Sequence, residues 1–205
     1  MRETTADESN DELVGKDAAA SRAFINQARQ FLTGQYLPKI ERCLERLSDE
    51  QIWWRSNPEA NSVGNLILHL CGNARQWIIC GLGGKPDQRQ RQSEFDERGP
   101  VPREQLVNLL RRTVAEVDAV LADFDSTRLL HQYLIQGTQS AALSAIFHVT
   151  EHFSMHTGQI IVLTKLLANV DLGFYDFSSG KPVHTWHDPW RTGETPGNDS
   201  NQNEL

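Results

Sequence analysis

The chain has 205 residues, a formal net charge of −7 and 39% hydrophobic residues. That length carries one domain with a self-supporting core. The acidic balance argues against a protein that grips the phosphates of DNA or RNA, and no apolar run approaches the ~20 residues of a membrane helix.

Residues 1–17 hold six acids and two bases and read as a disordered lead. An apolar pattern of helical period then runs from Ala18 to Leu47 through Phe24, Ala28, Phe31, Leu32, Ile40, Cys43 and Leu44. Pro38 removes a backbone donor inside it, so a kink or break is expected near Tyr36. Ser48 and Gln51 have capping-box spacing ahead of Trp53 and Trp54.

A second helix is expected from Ser62, its N-cap, to Leu82, where Gly83 and Gly84 stop it. Its inner stripe is Leu66, His69, Leu70, Asn73, Trp77 and Cys80. The linker from Gly83 to Pro100 is long, as functional, dimer-forming or disordered linkers are. A third helix runs from Pro102, which suits the first helical position, to Phe124, with an apolar seam from Leu106 to Leu121. Residues Tyr133 to Ile135 look extended. A fourth helix covers Ser140 to Ala168, and no convincing sheet is visible.

These patterns give an all-α protein with a four-helix bundle at 18–170. Residues 171–190 form an aromatic extension packed on the bundle, and 191–205 a disordered tail. The three cysteines, Cys43, Cys71 and Cys80, do not make a disulfide framework. With a polar, acidic N-terminus unlike a signal peptide, they point to the cytoplasm.

Three of the seven histidines fall as His148-x3-His152-x3-His156. Spacing of four puts neighbours on one helical face, about 40° apart, where two imidazoles can share a metal ion. On a helical wheel His156 lies within the inner stripe, His152 at its edge and His148 further out, which makes His152 and His156 the metal pair. His69 is the candidate third ligand, although a single histidine on an apolar stripe also fits a hydrogen-bonded core residue. His148, Asn73 and Gln159 are candidate extra or supporting groups. His131, His184 and His187 lie outside the long helices and default to surface roles. The chain has no Glu-x-x-His of the di-iron bundles, no His-Glu-x-x-His, no phosphate loop and no Cys-x-x-Cys.

The arrangement resembles the DinB/YfiT-like superfamily of metal-binding four-helix bundles over residues 22–170. The resemblance rests on Trp53-Trp54 with Pro58, Ser62-x6-His69-Leu70, and His152-x3-His156-x-Gly158-Gln159-Ile160. The run Asn61 to Leu66, then His69 to Asn73, Gln76 to Ile78, and Glu94-Phe95 before Gly99, is similar to an uncharacterised branch of it. The resemblance implies a metal triad of His69, His152 and His156 binding a divalent ion, zinc or nickel. Thr157 stands where the usual pattern has Arg. It implies further a small-molecule substrate, a low-molecular-weight thiol as co-substrate, and a homodimer. The superfamily name does not imply DNA binding.

The functional expectation is therefore a metal-dependent thiol S-transferase or a hydrolase, acting without nucleic acid or membrane. The alternatives are a non-catalytic dimeric bundle with a structural metal, or a metal-free buried histidine network.

Overall fold

A computed structural model describes residues 4–186. Four helical rods make a bundle. The first is α1 (Thr4–Gln30) continuing through a π-helical turn (Phe31–Tyr36) into α2 (Leu37–Glu45). After the short α3 (Asp49–Trp53), the second rod is α4 (Val63–Ala74), extended by a second π-helical turn (Arg75–Cys80). The third is α6 (Arg103–Asp123) and the fourth α7 (Ala142–Ala168). The first and second rods each pack on both α6 and α7, and Ile25, Leu44, Ile67, Leu70, Leu110 and Phe153 are fully enclosed between them. Among the described residues no helix is long and apolar enough to cross a membrane.

The first helix begins at Thr4, inside the stretch whose charge suggested a disordered lead. No proline interrupts residues 4–17, so the backbone winding of the buried half continues outward unbroken. The expected break near Tyr36 takes the form of the π turn: the Leu37 N–H donates to Leu32 O, five residues back. Pro38 lies just beyond and has no N–H for the carbonyl four residues back, that of Gly34. The indole Nε1–H of Trp186 donates to Gly34 O instead, at 2.8 Å.

Trp186 belongs to the chain beyond the bundle. Strands β3 (Tyr175–Asp176) and β4 (Val183–His184) pair antiparallel there. Arg42 donates to Gly173 O at 2.9 Å, and the Lys39 ammonium lies 5.4 Å from the Trp186 ring. His184 stacks on Trp186 with ring centroids 4.4 Å apart, so it is part of this packing rather than a surface group. His187, the end of the extension and the tail at 191–205 lie outside the described residues.

Ser48 forms the expected capping box with Gln51, and Ser62, expected as an N-cap, forms one as well with Asn65. Pro102 serves as the N-cap of α6, one position earlier than expected. The extended stretch at Tyr133 is half of a hairpin, β1 (Gln132–Ile135) with β2 (Thr138–Ala141). Its turn, Gln136-Gly137, has positive φ at both residues, the pairing that two-residue hairpins require.

The linker before α6 is ordered and holds α5 (Arg91–Asp96). It is fastened to α4 largely through its own backbone carbonyls. Asn65 Nδ2 donates to Glu94 O and Glu97 O, each at 2.9 Å. Arg55 donates to Phe95 O at 2.9 Å, and Trp53 Nε1 to Val101 O at 3.0 Å. Trp53 is wedged between glycines: a Cβ added at Gly64 or Gly99 would lie 2.7 or 2.6 Å from its ring.

The Trp186–Gly34 bond has a measurable signature. Trp186→Phe keeps a smaller aromatic ring and loses the donor; the lost hydrogen bond is expected to cost about 1 kcal/mol in urea unfolding. In a Pro38→Ala background, where a backbone N–H returns, the cost should shrink. An equal cost in both backgrounds would show that the bond does not stand in for the missing donor.

Candidate metal centre

His69 sits mid-way along α4, turned inward because Leu66 and Leu70 beside it are buried. His152 and His156 are held on α7 by Val149, Phe153 and Ile160, which bury the same side. Where α4 packs on α7 the three imidazoles meet. One ring nitrogen from each lies within 4.8 Å of the others, close enough to hold a metal ion. His69 Nε2 and His152 Nε2 are 2.9 Å apart. His69 and His156 are 6% and 8% exposed, while His152 is half-buried at the mouth.

Burial sets the charge of these rings. Desolvation, helped by the neighbouring imidazoles His156 and His69, lowers the His152 pKa to about 3. Desolvation also lowers His156 and His148. They are neutral at pH 7, the form that ligates metal.

The supporting residues are distributed around the rings. His156 Nδ1 donates to Gln159 Oε1 at 2.6 Å. Its Nε2 is then a lone pair, buried and without a hydrogen-bond partner. Asn73 Nδ2 donates to His148 Nε2 at 3.0 Å, one turn after His69 on α4 and one turn before His152 on α7, where His148 stacks on His152 and touches Trp77. His148 and Asn73 thus flank the three-histidine group. Thr157, in place of the usual Arg, is buried with its hydroxyl unpaired. Cys71 is buried with its thiol pushed up to about 12 by desolvation, and Cys80 donates to Pro86 O; neither joins the group.

The linker supplies what the sequence reading missed. Glu94 Oε2 lies 2.9 Å from His69 Nδ1, and Arg89 clamps the same carboxylate through Nε at 2.7 Å and Nη2 at 2.8 Å. Burial works to raise the Glu94 pKa, but the hydrogen bonds from Arg89 and His69 outweigh it and hold the group below the usual carboxylate range. Phe95 packs on the His69 ring at 4.7 Å. Two clefts border the centre. One, of about 610 Å³, is lined by Leu66, Met155, Val162, Leu163 and Gln159. The other, of about 410 Å³, is polar and includes Gln76, Arg89 and Glu94.

The donor set fits a divalent ion. Three imidazole nitrogens converge, and the buried unpartnered Nε2 of His156 is costly unless something occupies the space before it. Three nitrogen ligands leave at least one position open, as catalytic rather than structural zinc sites do.

Residues 19–180 match the family model described as protein of unknown function (DUF1572). The chain belongs to the DUF1572 family. No curated protein matches this DUF1572 member. Among solved structures it is similar to a DinB-like protein from Bacillus cereus, with 18% identity and a TM-score of 0.52 over 64% of this chain and 85% of that one. It is also similar to a conserved protein from Enterococcus faecalis, with 14% identity and a TM-score of 0.55 over 74% and 97% of the two chains. At these identities the likeness establishes the fold: the DUF1572 chain is a DinB-like four-helix bundle.

The neutral histidines make the metal-free fold acid-sensitive. His152 binds no proton in the folded chain until about pH 3, whereas an unfolded histidine titrates near 6.5. Its contribution is full above about pH 6.5 and is lost as pH falls toward 3. The Tm of metal-free protein should therefore drop between pH 7.5 and 4.5, and drop less steeply in His152→Asn. Identical slopes for the two proteins would contradict this assignment.

Proposed function

We propose that this DUF1572 protein binds a divalent metal ion, zinc or nickel, through His69, His152 and His156, and acts there on a small molecule as a metal-dependent transferase using a low-molecular-weight thiol. The buried, unpartnered Nε2 of His156, facing the other two imidazoles, carries the reading. A bound ion with an open position would supply Lewis acidity that lowers the pKa of a thiol toward thiolate.

The chain's own residues supply the setting. Neutral His152 and His156 carry no charge that repels a cation at pH 7, and His156 presents a bare Nε2 lone pair. Leu66, Met155, Val162 and Leu163 line a cleft that reaches Gln159, the residue bonded to His156, and this cleft suits the apolar part of a substrate. The −7 charge supports a partner other than nucleic acid. Phe147, Val162 and Leu166, each more than half exposed on α7, support a homodimer; Val162→Glu should then shift the mass measured by light scattering from dimer to monomer.

A second reading is a metal-free histidine network. The 2.9 Å contact between His69 Nε2 and His152 Nε2, which is a hydrogen bond when one ring donates, favours it. Elemental mass spectrometry on untagged protein separates the two. About one metal ion per chain, lost in His69→Ala, His152→Ala and His156→Ala, is expected, followed by metal-dependent turnover in a thiol-transfer screen. Wild-type protein that stays metal-free after incubation with zinc and nickel would leave the histidine network standing. A metal whose removal lowers Tm, with no turnover, would make the site structural.

A further inference from the structure

A histidine ligates through one nitrogen, and which one depends on where the other keeps its proton. For His69 the fold answers this question. An ionised carboxylate only accepts hydrogen bonds, and Glu94 is kept ionised by the two-point grip of Arg89 on both its oxygens. Arg89 Nη2, which can only donate, also lies 3.2 Å from His69 Nδ1, but its nearer acceptor is Glu94 Oε2 at 2.8 Å. With the proton off Nδ1, that nitrogen would face the carboxylate lone pair to lone pair at 2.9 Å, so the contact with Glu94 Oε2 places the proton on Nδ1. A neutral ring protonated there has a bare lone pair on Nε2, the nitrogen that faces His152.

We propose that Glu94 is a positioning residue for the metal centre: it locks His69 in the Nδ1–H tautomer and so keeps the Nε2 lone pair aimed between His152 and His156. The inference deepens the metal reading and rests on it for its consequence, although the tautomer itself is a property of the metal-free chain.

Three further observations support the assignment. Gly72, three residues after His69 on α4, has no side chain where one would collide: a Cβ there would lie 1.9 Å from Glu94 Oε1 and 3.0 Å from Arg89 Nε. Phe95, next to Glu94, covers the His69 ring and limits its rotation. And α5 is docked by carbonyl bonds to Asn65 and Arg55 that do not involve the Glu94 carboxylate. The carboxylate is therefore not what fastens the segment; its partners are His69 and Arg89.

The lock also distinguishes the three ligands. His69 is set by Glu94 and His156 by Gln159, both with the proton on Nδ1 and the lone pair on Nε2. His152 is the ring whose Nε2 donates to His69 in the metal-free chain. It is the ring that must move its proton when an ion enters.

The test begins without metal. Nitrogen-15 histidine NMR of the full chain at pH 8, with His69→Gln to assign the signal, should show His69 as the Nδ1–H tautomer. In Glu94→Leu the signal should move toward the Nε2–H tautomer, and Glu94→Gln, whose amide oxygen still accepts, should retain the wild-type form. Gly72→Ala displaces the carboxylate without removing it and should behave like Glu94→Leu, which guards against one variant failing to fold. Zinc affinity is the second readout: a loss of about 10- to 100-fold in Glu94→Leu, largely restored in Glu94→Gln. An Nε2–H or doubly protonated His69 in the wild type, or an unchanged tautomer in both Glu94→Leu and Gly72→Ala, overturns the proposal. Wild-type protein that binds no zinc would sink the metal reading and leave the tautomer result to decide this one.

Discussion

A neutral imidazole has one donor and one acceptor, and a histidine buried in an apolar bundle must find a use for both. Much of the centre follows from that demand. His69 needs an acceptor on one side, and the chain brings a carboxylate from the far end of a long linker to provide it. That carboxylate could not be buried alone, so an arginine comes with it. Gln159 meets the same demand for His156. What is left over is a set of three nitrogens within 4.8 Å of one another, of which His156 Nε2 has no hydrogen-bond partner.

The two π-helical turns show how the rods accommodate local exceptions. Each widens a helix by one residue per turn. In the first rod this happens next to a proline that would otherwise leave a carbonyl bare, and the C-terminal extension folds back to cover it. In the second rod the wide turn follows Ala74, and Trp77 within it packs against His148 beside the histidine group. Bundle and extension thus form one hydrogen-bonded unit, although only the bundle has a repeating apolar pattern.

The rods were legible in the sequence because burial imposes a period on them. Leu106 to Leu121 on α6 and Val149 to Ile160 on α7 are buried as that period requires. Ser48 was legible from Gln51 three residues on, and Ser62 from its place just ahead of an apolar helical run. The convergence of His69 with His152 and His156 was legible as well, since an i, i+4 pair and a mid-helix histidine each faced inward. The start of the first helix was not, because a charged run has no apolar period with which to announce a helix. The first π turn showed only as a break expected near Tyr36, and the second not at all: an extra residue shifts a period without erasing it. Gln136-Gly137 was a hairpin signal available in the sequence. Glu94 and Arg89 were out of reach. A six-residue helix is too short to show a period, and nothing in the sequence ties Glu94 to a histidine 25 residues earlier. The one local hint was Gly72, a glycine in a buried helix with no turn to justify it.

The way the linker is fastened separates holding from reaching. Asn65, Arg55 and Trp53 grip main-chain oxygens, which every amino acid has, so the grip is blind to the side chains displayed at Gln90, Arg91, Gln92, Ser93 and Asp96. Those positions face outward around a shallow hollow, and substitutions there leave the bonds to the Glu94, Phe95 and Glu97 carbonyls in place. Sequence can drift along this outer face while the carboxylate behind it stays in register with His69.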